Sequence, residues 1–164
     1  MPLIKNGCVV DNEWIFIDDS TDHDGTGSVT VSLPRYLQDV THERTRNVTL
    51  GVRLTPSDDP DLLLPHLDHL PLIEIEFPKY TDGRGYSLAQ ILRRRHGYTG
   101  ELRAVGHVLR DQILYMNRSG FDAFETARAD LSQVLEALSE HSAYYQPAAD
   151  GHPTVFARRH LRPD

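Results

Sequence analysis

Little sulfur and no long greasy stretch mark this chain. Its 164 residues include one cysteine, one tryptophan and two methionines. A single thiol, Cys8, excludes an intrachain disulfide, a multi-cysteine zinc site and a Cys-ligated iron–sulfur cluster held by this chain alone. No apolar run approaches the roughly 20 residues that span a bilayer. No basic-then-apolar leader opens the sequence, so the expectation is a cytoplasmic protein with no membrane association. Cations are also in short supply. Seventeen Lys and Arg face 24 Asp and Glu, a net charge of −7. Nucleic-acid affinity comes largely from neutralising phosphates, so no nucleic-acid partner is expected. Hydrophobic residues at 39% and charged residues at 25% fit an ordinary globular chain.

The charge that is present is unevenly spread. Residues 1–70 carry 5 basic and 12 acidic side chains, residues 71–120 carry 8 and 5, and residues 121–164 carry 4 and 7. Seven of the eight cations in the middle third are arginines, whose planar fork suits carboxylate, sulfate or phosphate. The run Arg93-Arg94-Arg95 reads as a solvated helix face.

Residues 1–17 read as a β-hairpin, with apolar and polar positions alternating and Asp11-Asn12 as its turn. An acidic loop follows over 18–25. It lacks the terminal bidentate Glu of a calcium-binding loop and reads as a solvent loop. A short strand over 29–31 and a short helix over 33–40 come next. From residue 48 the texture changes. Strands over 48–54, 72–77, 102–105 and 121–124 each precede an amphipathic helical segment. Asp58 and Asp59 can cap the first of these, Ser87 opens the second with Gln90, and Gly120 ends the third. This rhythm predicts an α/β fold of four strand–helix units with right-handed crossovers and a mainly parallel sheet, half-barrel-like or a small open sheet, preceded by the N-terminal β-hairpin. The implied organisation is a hairpin-and-loop appendage over 1–47, an α/β domain over 48–145 and a polar C-terminal tail over 146–164.

In such folds ligands bind where strands end and helices begin. The longest such loop, residues 78–86, carries Lys79, Asp82, Gly83 and Arg84. Arg53 leaves the first strand, and His107 and Arg110 follow the third. Together Arg53, Lys79, Asp82, Gly83, Arg84, His107 and Arg110 form a candidate anion site. The competing reading pairs Arg84 with a carboxylate such as Asp111. Gly83-Arg84-Gly85 is not a dinucleotide fingerprint, because Leu88 occupies the third glycine position. Ser87 reads as a helix cap rather than a nucleophile, since a long loop separates it from its strand. His66 and His69 lie three apart with no evident third ligand, and Cys8 reads as an inert buried thiol. No cofactor, metal or catalytic set is evident.

Four blocks carry a resemblance: residues 73–87, Gly100-Glu101-Leu102-Arg103-Ala104-Val105-Gly106, Leu109-Arg110-Asp111-Gln112 and Gly120-Phe121-Asp122-Ala123-Phe124. Over about residues 45–145 the chain resembles a bacterial family of unknown function whose members are labelled as oxidoreductases of sulfite reduction. One departure is His107, where the family pattern has an acid. The resemblance implies a place in assimilatory sulfate or sulfite reduction, with sulfite reductase or adenylylsulfate reductase as partners. It implies no catalytic residue. The expected function is therefore an accessory protein that binds a sulfur oxyanion or a phosphorylated metabolite, or docks on a reductase. The alternatives are a small-molecule oxidoreductase of the same pathway and a non-catalytic half-barrel that assembles as a homo-oligomer.

Overall fold

The computed structural model describes residues 2–21, 26–41, 48–126, 131–139 and 141–160. Eight strands form one curled, half-barrel-like sheet in the order β2-β1-β8-β7-β6-β5-β4-β3. They are β1 (Leu3–Lys5), β2 (Cys8–Val10), β3 (Trp14–Phe16), β4 (Gly27–Ser32), β5 (Val48–Leu54), β6 (Leu72–Phe77), β7 (Glu101–Gly106) and β8 (Ala123–Glu125). Strands β3 to β8 are parallel in sequence order, the mark of repeated right-handed crossovers, while β1 is antiparallel to both β8 and β2. Helices α1 (Leu33–Thr41), α2 (Arg84–Gln90), α3 (Arg110–Ser119) and α4 (Leu131–Leu138) follow β4, β6, β7 and β8; a 3₁₀ helix (Pro60–His69) follows β5. A last short helix, α5, spans Val155–His160. The expected parallel α/β sheet is therefore present. The strand near residue 30 and the segment over 14–16 extend that same sheet.

The curl follows from connectivity. Strands β2 and β3 stand at opposite ends of the strand order, yet only residues 11–13 join them. Four Cα steps reach at most about 14 Å, whereas the edges of a flat eight-stranded sheet lie about 34 Å apart. The sheet must roll until its edges approach. The helices cover one face, where Val31, Val52, Ile73, Ile75, Phe77, Leu102 and Phe124 pack with Leu63, Leu92, Ile113, Met116 and Val134 into the core. Residues alternating with these strand positions point to the inner face, which no helix among the described residues covers.

Several local expectations are corrected. The hairpin turn is Asn6-Gly7, not Asp11-Asn12. Both residues take positive φ (51° and 76°), the conformation of a two-residue turn whose twist matches the strands. Gly83 precedes α2, so Ser87 lies inside the helix rather than capping it. The segment after β5 winds as a 3₁₀ helix with Pro65 inside it, and Asp59 caps it by accepting from the Asp61 N–H at 3.0 Å. Cys8 is exposed on β2 rather than buried. The tail beyond 146 carries α5 and is tied back through Arg118, which stacks 3.6 Å from the Tyr144 ring and pairs with Asp150 at 3.0 Å. Of the acidic loop over 18–25, residues 22–25 lie outside the described residues. Among the described residues no helix is long and apolar enough to cross a membrane.

Candidate functional site

Two polar constellations sit on the rolled sheet. The first is the rim of loops at the carboxyl ends of the strands, where the sequence placed its candidates. The loops after β6 and β7 lie side by side: the His107 N–H donates to the Phe77 carbonyl (2.8 Å) and the Gln112 side chain to the Tyr80 carbonyl (2.6 Å). Gly106 takes φ +90°, and a Cβ there would come within 2.7 Å of the Phe77 carbonyl oxygen, so only glycine permits this close turn. Arg84 does not pair with Asp111. Its Nε and Nη2 grip both oxygens of Asp82 at 3.0 and 2.7 Å, two residues away. Hydrogen bonds from the Arg84 side chain and backbone hold the Asp82 carboxyl below its ordinary range. Gly83 lies between them at an ordinary negative φ. Gly85 serves packing, since a Cβ there would meet the Phe77 ring at 2.6 Å. Arg110 donates from Nε to the Gln133 carbonyl at 3.2 Å, towards α4. Lys79 contributes its carbonyl to the turn, accepting from the Asp82 N–H at 3.0 Å.

The second constellation was missed as a group. It runs across the inner face of the sheet. Register aligns Ser32, Arg53, Glu74, Arg103, Ala123 and Lys5 in one row across β4, β5, β6, β7, β8 and β1. Glu74 and Arg103 are 2% and 1% exposed, close to the limit for charged side chains, which stay buried only when paired. Glu74 accepts from Thr30 at 2.9 Å, from Arg53 Nε at 2.8 Å and from Arg103 at 3.4 Å. Arg103 also grips Glu101 at 2.6 Å and donates to Asn12 at 2.9 Å, while Lys5 pairs with Glu101 at 2.7 Å. Asn12 reaches on to Glu125, so the link between β2 and β3 is stitched across the inner face. Gly51 has no side chain because one would strike Thr30, the Leu72 carbonyl and the Trp14 ring, all within 3.1 Å. On this face the cations Lys5, Arg53 and Arg103 share the surface with the carboxylates Glu74, Glu76, Glu101 and Glu125.

Arg53 joins the two constellations. It sits next to the last residue of β5, with its side chain 20% exposed. Its guanidinium lies 3.8 Å from the centroid of the Phe16 ring, which is itself 40% exposed. Its Nε is committed to Glu74, and among the described residues no hydrogen bond or ion pair engages its two terminal amino groups. Glu76 lies on the same face two residues beyond Glu74. Of the sequence candidates, then, Arg53 belongs to the buried row, Arg84 and Asp82 form an exposed neutral pair, and Arg110 is turned to α4.

The arginine run is split. Arg94 and Arg95 are exposed as expected, but Arg93 is not on a solvated face. A π turn over Ile91–Arg95 widens the helix and offsets its spacing. Arg93 then donates to the carbonyls of Gly120, Tyr98 and Gly100 at 2.8, 2.6 and 2.8 Å and to Asp122 at 2.7 Å. It is a structural clamp between α2, β7 and β8. Burial outweighs this partner and raises the Asp122 carboxyl above its ordinary value.

A family model described as a bacterial protein of unknown function (DUF934) matches residues 51–156, which include the later part of β5 and all of β6 to β8. No curated protein matches the chain at a significant level.

Proposed function

The chain belongs to this bacterial DUF934 family, and on that premise we propose that it is an accessory protein of assimilatory sulfate or sulfite reduction that binds a sulfur oxyanion at the carboxyl ends of its strands. The observation that carries the reading is Arg53. It is pre-oriented by Glu74 and Phe16, and among the described residues no hydrogen bond or ion pair engages its two terminal amino groups. A fork-shaped cation fixed in this way loses little freedom on meeting an oxyanion. Arg84 is a weaker anchor because Asp82 already neutralises it. The resemblance of residues 73–124 to the sulfite-reduction family supplies the pathway and, as partners, sulfite reductase or adenylylsulfate reductase.

Calorimetric titration of sulfite and sulfate into the full chain tests the binding. Arg53→Ala is expected to weaken binding by roughly ten- to 150-fold, the loss of a charge-assisted contact of about 1.5–3 kcal/mol. Arg84→Ala is expected to change it by less than about threefold. A folded Arg53→Ala protein with unchanged affinity overturns the site. A deletion strain is expected to grow poorly on sulfate and to recover with cysteine; normal growth on sulfate overturns the pathway assignment.

A further inference from the structure

At the amino ends of the strands, the pole opposite Arg53, a second cavity opens between α1 and the 3₁₀ helix. Its volume is about 540 Å³, within the range of small-molecule sites. Val40, Val48 and Pro71 form an apolar wall. Tyr36, His66 and His69, whose side chains carry hydrogen-bonding groups, also line it. In a 3₁₀ helix residues three apart eclipse one another, which is why His66 and His69 both reach the same cavity. No Asp, Glu, Lys or Arg is among the described residues that line it, and no third carboxylate or thiol joins the histidines into a metal set among the described residues.

Tyr36 is the distinctive member. It is 5% exposed, yet its hydroxyl makes no hydrogen bond to a described residue. No fully buried side-chain polar atom among the described residues lacks a partner, so this hydroxyl is reached by solvent and is open to a ligand. Burial raises its pKa, so the group stays a protonated donor at neutral pH. The His66 ring meets the Tyr36 ring edge-on, with centroids 5.7 Å apart and planes at 82°, giving the cavity an aromatic corner. A flat ring fits between that corner and the apolar wall. Among the described lining residues an ion would find no fixed charge to compensate its desolvation. We propose that this cavity binds a small, planar, uncharged heteroaromatic molecule, stacked in the Tyr36–His66 corner and hydrogen-bonded by Tyr36 and His69.

The test is a titration of the isotope-labelled full chain, at pH 8, with adenine, indazole and 4-hydroxyquinoline, followed by NMR. Cyclohexanol and benzoate serve as non-planar and charged comparators. At least one planar probe is expected to shift the His66 and His69 ring signals and the Val40 and Val48 methyls, and to bind at least tenfold more tightly than either comparator. Tyr36→Phe keeps the packing and removes the donor, so affinity is expected to fall about two- to tenfold, as for one neutral hydrogen bond. Val40→Trp, at a half-buried lining position on α1, is expected to fill the cavity and abolish the His66 and His69 shifts while the far-ultraviolet spectrum stays unchanged. The proposal is overturned if all three planar probes leave these signals unmoved, if either comparator binds as tightly, or if folded Tyr36→Phe binds with unchanged affinity.

Discussion

Arg93→Ala is the most informative perturbation of the fold. Four acceptors lose their donor at once: the carbonyls of Gly120, Tyr98 and Gly100 and the carboxylate of Asp122. Hydrogen bonds to charged groups contribute about 1.5–3 kcal/mol each, so simple addition would exceed the stability of many domains. The sum is not reached, because the Arg93 side chain is 14% exposed and water enters the space it leaves. Breaking one such partly buried pair typically costs about 3–5 kcal/mol, and that is the expected loss in urea unfolding at pH 7. Arg94→Ala, on the exposed side of the same turn, should stay within about 0.5 kcal/mol of the parent. The loss also has a pH dependence. Burial already raises the Asp122 carboxyl, and without Arg93 it rises further. An acid whose folded pKa exceeds its unfolded value gains stability as pH falls through that folded pKa. The deficit of Arg93→Ala should therefore shrink between pH 7 and pH 5. A deficit below about 1 kcal/mol, or one that grows towards pH 5, would refute the clamp.

Three further outcomes follow from the geometry. Gly85→Ala should gain about 1 kcal/mol from helix propensity but lose about 1–3 kcal/mol by overpacking the Phe77 ring, giving a net loss or no gain in thermal unfolding. Glu74→Ala strands Arg103 in the buried row and should cost about 3–5 kcal/mol in urea unfolding, whereas exposed Arg84→Ala should leave stability within about 0.5 kcal/mol. Burial raises the Tyr98 hydroxyl pKa well above its ordinary 10.0, and the hydroxyl donates to the Leu70 and Glu101 carbonyls. The unfolded chain ionises first, so stability should fall as pH rises above 10, by up to about 1.4 kcal/mol per pH unit; ultraviolet titration of the tyrosinates alongside unfolding curves checks this.

Much of the architecture is written in local patterns. Apolar strands closed by Pro78 or Gly106, helical stripes such as Leu131, Val134, Leu135 and Leu138, and the Asp59 cap each depend on neighbours within a few residues, and they determine the order and parallel sense of β5 to β8. The resemblance came from the same stretch. The inner row was not legible in that way. Glu74 and Glu76 alternate with Ile73 and Ile75, a pattern that ordinarily means one face in water. Here the uncovered face is rolled inward, so its polar residues become interior and must pair. Which pairs form depends on register between strands: Glu74 meets Arg53 across 21 positions and Arg103 across 29. The opposite charges within successive strands, Arg53, Glu74 and Arg103, were the available signal. Likewise Arg93 faces inward only because a π turn re-aims it onto carbonyls of the loop before β7 and of the end of α3. Composition and periodicity determined the layers by themselves. Register, curl and one widened turn decided where the charges went, because those interactions join residues that no local pattern links.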